Sequence, residues 1–150
     1  VGANRRSLRL KQLLPILSHQ QAAFVCLQYG STDAELAEFA SSTGIKIHAL
    51  DGVGDDLDLT AALTQQLDLV ITVQQTALHL AGAVGTPAWV LVPVAPEWRY
   101  GYSGTAMAWY SCVRLFRQSA LNDWTDAIDQ LTHAFQEFLM AHGRHNGESS

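Results

Sequence analysis

The chain has 150 residues, 48% of them hydrophobic, 15% charged and 9% aromatic, enough to bury about two-thirds of its unfolded surface in a single core. Nine Lys and Arg against fourteen Asp and Glu leave a formal charge of −5, the wrong sign for neutralising phosphates along a nucleic acid, so general nucleic-acid binding is excluded. No apolar run approaches the ~20 residues of a membrane span, and VGANRRSLRL at the N-terminus lacks the apolar stretch of a signal peptide. Two cysteines, Cys26 and Cys112, imply no disulfide framework and are expected to be small buried hydrophobes, which points to a cytoplasmic protein.

In chain order, FVCLQY (24–29) is a short apolar run closed by Gly30, which predicts a strand. Thr32-Asp33-Ala34-Glu35 has the form of a capping box and opens a helix that stops at Gly44. The alternation of IKIHAL (45–50) predicts a second strand, turned by Asp51-Gly52. Asp55, Asp56 and Asp58 precede LTAAL and fit the N-terminus of a short helix better than a metal cluster, which would draw converging oxygen ligands from elsewhere.

LDLVITV (67–73) and AWVLVP (88–93) are nearly continuous in apolar residues, as strands covered on both faces are. Between them the pattern predicts a helix from Thr76 to Val84, ended by Gly85. VRLFR (113–117) reads as a fifth strand. A last amphipathic helix begins after Asn122 or Asp123, and residues 142–150 read as a disordered tail behind one domain over residues 1–141. Strands alternating with helices predict an α/β fold, a mainly parallel sheet in a three-layer α/β/α sandwich, with ligands at the carboxyl ends of the strands.

The junction VITVQQTALHLAG has the most chemistry in it. The first N–H groups of a helix starting there form an anion site, and His79 lies one turn in, on the face of Gln75 and Thr76. The alternative is an ordinary N-cap at Thr76 and a satisfied interior histidine. Arg5, Arg6, Arg9 and Lys11 hold four of the nine basic residues, either as a solvated face or as phosphate partners. The loop VAPEWRYGY (94–102), which follows Pro93, gathers a second proline and three large aromatics, which either cover the core or wall a pocket, and Met107, Trp109 and Tyr110 pose the same choice.

The succession LDLVITVQQTALHLAGAVGTPAWVLVPVAPEWRYG, with WYSCVRLFRQ downstream and FVCLQYG upstream, resembles the C-terminal half of GT-B glycosyltransferases related to ADP-heptose lipopolysaccharide heptosyltransferases, in the form found behind tetratricopeptide repeats. RRSLRLKQLLPIL resembles the segment after the first strand of that half. The resemblance implies a Rossmann-like domain, one half of a GT-B fold, that binds the diphosphate of a nucleotide sugar. An ADP-, UDP- or GDP-linked donor would be its ligand. Placed on the family's D-T-S-x-x-H or D-T-G-x-x-H motif, the acid falls on Gln74, the threonine on Gln75, the small residue on Thr76 and the histidine on His79, so the histidine matches and the acid does not. The same resemblance implies Arg5 or Arg6 on the diphosphate, Gln28 and Tyr29 bordering the nucleoside, and Trp98 and Arg99 lining the next loop. No metal is required and no catalytic residue is assigned.

The resemblance further implies a missing N-terminal acceptor domain, which leaves a donor-binding module inactive in transfer on its own. The family's first strand is absent or reduced to Val1-Gly2-Ala3, and it would sit between the strands of Val25 and Val70. An empty position there would expose two rows of unpaired N–H and C=O groups. The expectation is therefore that those two strands close against each other, or that another chain, such as a second copy in a homodimer, fills the slot. The alternatives are an interaction domain of the same fold that has lost donor binding, and a small nicotinamide-dependent enzyme, for which Gly52-Val53-Gly54 is an incomplete signature.

Overall fold

The alternation of apolar strands and glycine-terminated helices builds one open sheet with helices against its faces, in a computed structural model that describes residues 8–28, 30 and 32–147. A 3-10 turn over Leu10–Leu13 leads into α1 (Leu14–Leu17). Helices α2 (Asp33–Thr43) and α3 (Leu57–Gln66) follow, then β1 (Val70–Val73), α4 (Thr76–Val84) and β2 (Ala88–Val92). The chain finishes with β3 (Ala106–Met107), β4 (Tyr110–Arg117) and α5 (Thr125–Gly147). The expected Val1-Gly2-Ala3 remnant lies outside the described residues.

The four strands are ordered β1-β2-β4-β3. β1 pairs parallel with β2, Val70 opposite Ala88, and β2 pairs parallel with β4, Ala88 opposite Val113. The short β3 runs antiparallel to β4. Because successive strand residues point to opposite faces, β2 feeds two cores. Trp89 and Leu91 pack with Phe116 and the α5 residues Ala127, Leu131 and Phe135. Ala88, Val90 and Val92 pack with Leu78 and Ala81 of α4 and with Val113 and Leu115. All five residues of β2 are buried, which is why its sequence shows no polar alternation.

Local chemistry sets the element ends. Gly85 caps α4 at φ 78°, where a residue with a Cβ is strained, and its N–H donates to the Ala81 carbonyl. The neighbouring Thr86 hydroxyl donates to the Thr64 carbonyl at 2.9 Å, tying the end of α3 to the end of α4. Asp56 caps α3 by accepting from the Leu59 N–H at 3.0 Å. Thr32, expected to close a capping box on α2, makes no side-chain cap bond; its hydroxyl lies 3.8 Å from the Cys26 thiol instead. Cys26 and Cys112 are unpaired and half-buried rather than fully buried.

Three expectations are corrected. Of the two segments expected as strands at 24–29 and 45–50, the described residues 24–28 and 45–50 are not full strands but touch through one parallel bridge between Val25 and His48. The region of Val25 does not close against β1. A groove of about 1310 Å³ separates them, lined by Phe24, Val25 and Leu27 on one side and Leu69, Ile71 and Val73 on the other. Residues 142–147, expected in a tail, continue α5 to Gly147, because the apolar stripe through Phe135, Phe138 and Leu139 anchors that helix on the core.

α4 crosses β4 so closely that a Cβ on Gly82 would meet the Tyr110 ring at 2.5–2.7 Å. Gly82→Ala is expected to lower stability by about 1–3 kcal/mol in urea denaturation, overpacking outweighing the gain in helix propensity of roughly 1 kcal/mol. In a Tyr110→Ala background, where the ring is gone, the same substitution is expected to be neutral or stabilising.

Candidate functional site

At the carboxyl end of β1 the chain turns through Gln74 and Gln75 into α4. The N-cap is Gln75, not Thr76, with extended backbone and no side-chain cap bond. The Leu78 N–H donates to the Gln75 carbonyl at 3.2 Å, while the N–H groups of Thr76 and Ala77 come too early in the helix for an intrahelical acceptor. Gln75 and Thr76 are exposed, and no acidic side chain stands in the first turn. The helix start therefore presents donors and a positive dipole end.

One turn in, half-buried His79 meets Arg99 from the loop after β2, with Nη1 3.4 Å from Nε2. A guanidinium only donates, so Nε2 accepts and the imidazole proton sits on Nδ1. The N–H that His79 can offer a ligand is thus the Nδ1 one. Trp109 and Tyr110 flank the imidazole, with ring centroids at 6.4 and 6.0 Å, and Trp98 packs edge-on to Trp109 at 5.7 Å. Arg99 also pairs with Glu97 at 3.0 Å. Its Nε is buried without a hydrogen-bond partner, as are both amide atoms of Gln74, so the cluster holds unspent hydrogen-bonding capacity.

The structure brings His79, Trp98 and Arg99 together, with Gln74, Gln75 and Thr76 at the adjacent strand-to-helix turn. It does not bring Gln28 to them: exposed Gln28 lines the groove beside β1. Arg5, Arg6 and Tyr29 lie outside the described residues. The loop aromatics divide between the two roles weighed for them. Tyr100 is buried and belongs to the core around α4, whereas Trp98, Tyr102 and Trp109 are 73%, 85% and 50% exposed.

Arg117, at the end of β4, holds this loop and was not singled out by sequence. Its guanidinium donates to the carbonyls of Tyr100, Gly101, Ser103 and Gly104, a fan of acceptors that keeps Trp98 and Arg99 beside α4. The signal was faint: a basic residue ending a buried strand, and two loop glycines, Gly101 and Gly104, both at positive φ.

Compared with known proteins, the chain is similar to Protein FlbA of Caulobacter vibrioides, 33% identical over 126 residues. The match takes in 83% of this chain and 21% of FlbA, so the chain spans about a fifth of that relative's length. No family model matches, and no solved structure matches. The resemblance to GT-B glycosyltransferases is therefore overturned: the similarity found is to FlbA, and no glycosyltransferase family or fold accompanies it. The site departs in the same direction, since the motif's acid is an amide, Gln74, with both polar atoms unpartnered.

Two outcomes follow from this geometry. Arg117→Met strands four carbonyls and is expected to cost about 1–3 kcal/mol, with amide exchange over residues 98–106 accelerating more than in β2. Burial, and secondarily the Glu97 charge, raise the Tyr100 phenol above its ordinary value. A raised native pKa favours the protonated form in the fold, so stability is full below about pH 10 and falls as pH rises through the native value. Urea denaturation of native protein and Tyr100→Phe from about pH 9 to 11 is expected to show a smaller loss in the variant.

Proposed function

We propose that this domain, read as a Rossmann-like layered α/β unit, binds a nucleotide that carries a diphosphate, and that a nucleotide sugar is one ligand of that class. The observation that carries the reading is Arg99 held against His79 beside an uncapped helix start, with Gln74 and the Arg99 Nε left unpartnered. Phosphate oxygens suit that set: the Thr76 and Ala77 N–H groups, the Thr76 hydroxyl, the Nδ1–H of His79 and the remaining guanidinium N–H groups of Arg99 are all donors. Exposed Trp98 and Trp109 offer faces on which a base stacks. The site is a binding site in this reading, with no residue assigned to group transfer. The unpaired cysteines fit a reducing compartment such as the cytoplasm, and no helix among the described residues is long and apolar enough to cross a membrane.

Titration calorimetry with ADP, UDP and GDP tests the proposal. Saturable heat is expected with at least one nucleotide, weakened about tenfold or more, roughly 1.4 kcal/mol, by His79→Ala or Arg99→Met. Absence of heat with all three, or equal affinity in the variants, contradicts it. A second reading, an interaction domain without a nucleotide, is favoured by the exposure of Trp98 and Tyr102 on the β2–β3 loop and of Trp109 in the β3–β4 turn. A stable dimer in light scattering, with no nucleotide heat, supports that reading instead.

A further inference from the structure

β1 is an edge strand in an unusual place. Val70 donates to the Pro87 carbonyl at 2.9 Å, and in a parallel ladder the residues that bond one neighbour alternate with those that face away. Val70 and Thr72 therefore bond β2, while the backbone groups of Leu69, Ile71 and Val73 face the groove. Among the described residues only the Val73 carbonyl has a substitute there, accepting the Thr72 hydroxyl at 3.0 Å.

The opposite wall has the complementary pattern. His48 donates to the Phe24 carbonyl and accepts from the Cys26 N–H, both at 2.8 Å. By the same alternation the backbone groups of Val25 and Leu27 face away from His48, toward the groove that both walls line. No described residue pairs with them. The remaining lining is mostly apolar, with Leu13, Ile16, Leu36, Ala77, Phe135 and Phe138, and carries a minority of polar groups such as Arg9, Glu35 and Asp68.

A flat ligand does not use two facing rows of alternating backbone donors and acceptors; a β-strand does. The volume, about 1310 Å³, also exceeds the roughly 300–1,000 Å³ of a small-molecule pocket. The geometry points to a docking slot for one extended apolar peptide strand, supplied by polypeptide outside residues 1–150, that inserts between Val25 and Ile71 and completes the sheet. The walls along residues 24–28 and 69–73 match a strand of about five residues, ~17 Å long. Its side chains are mainly apolar because apolar groups make up most of the groove lining. This slot is separate from the His79 cluster, so it stands whether or not nucleotide binds.

The test uses the 150-residue chain and a fluorescein-labelled peptide with a five-residue Val/Ile core between lysine pairs. A matched peptide, N-methylated at alternate core amides, keeps the side chains and charge but loses backbone donors. Anisotropy is expected to show saturable binding of the first and at least tenfold weaker binding of the second. Hydrogen exchange followed by NMR is expected to show at least tenfold slower exchange at Val25, Leu27, Leu69 and Ile71 on peptide addition. Failure to bind, or equal binding of both peptides, overturns the proposal. So does a dimer in light scattering whose amides at those four positions are already protected, since the occupant is then a second copy.

Discussion

The structure depends on a hydrogen-bonding asymmetry in β1. One side of this four-residue strand is spent on β2; the other faces a groove. Buried sheets of parallel strands normally satisfy both sides, because an unpaired peptide group kept from water costs as much as a lost hydrogen bond. Here the strand side chains are still covered, Val70 in the core beneath α4 and Ile71 against the core beneath α5. The apolar pattern of LDLVITV is thus explained by what lies above and below it, while its backbone remains half committed.

The same strand delivers the polar site. β1 ends at Val73, and the turn through Gln74 and Gln75 aims the start of α4 past the carboxyl edge of the sheet. α4 is held there by Leu78 and Ala81, both fully buried, and by the close approach of Gly82 to Tyr110. That approach also sets Tyr110 beside His79. From the other direction Arg117 fixes the loop that bears Trp98 and Arg99. The cluster of His79, Arg99 and the tryptophans is thus a product of core packing and one guanidinium, not of local sequence preference.

Much of this was legible in advance. α4 has the bounds expected from its apolar spacing and the Gly85 stop, and β2 was plain from the apolar run AWVLV. Asp56 caps α3 as its position suggested. The failures share a cause: elements whose form depends on distant partners. Residues 24–28 have strand composition but too few neighbours to make a ladder, so among the described residues one bridge with His48 is all that forms. Thr32 turns to Cys26 instead of its own helix. The end of α5 depends on docking of Phe135 and Phe138, which local composition underweights. Arg117 left only a faint signal because its acceptors are backbone carbonyls, which no side-chain pattern announces. The family resemblance failed for a different reason: apolar strand-helix-strand spacing follows from the packing of α/β layers in general and is weak evidence for one chemistry.

The central claim, that β1 is bonded on one side and open on the other, is tested most directly by native-state amide exchange of the chain alone, residue by residue through the strand. The account predicts an alternation, slow exchange at Val70 and Thr72 and exchange at least tenfold faster at Leu69 and Ile71. Uniformly slow exchange across these four positions would contradict it, because the groove side of the strand would then already be paired.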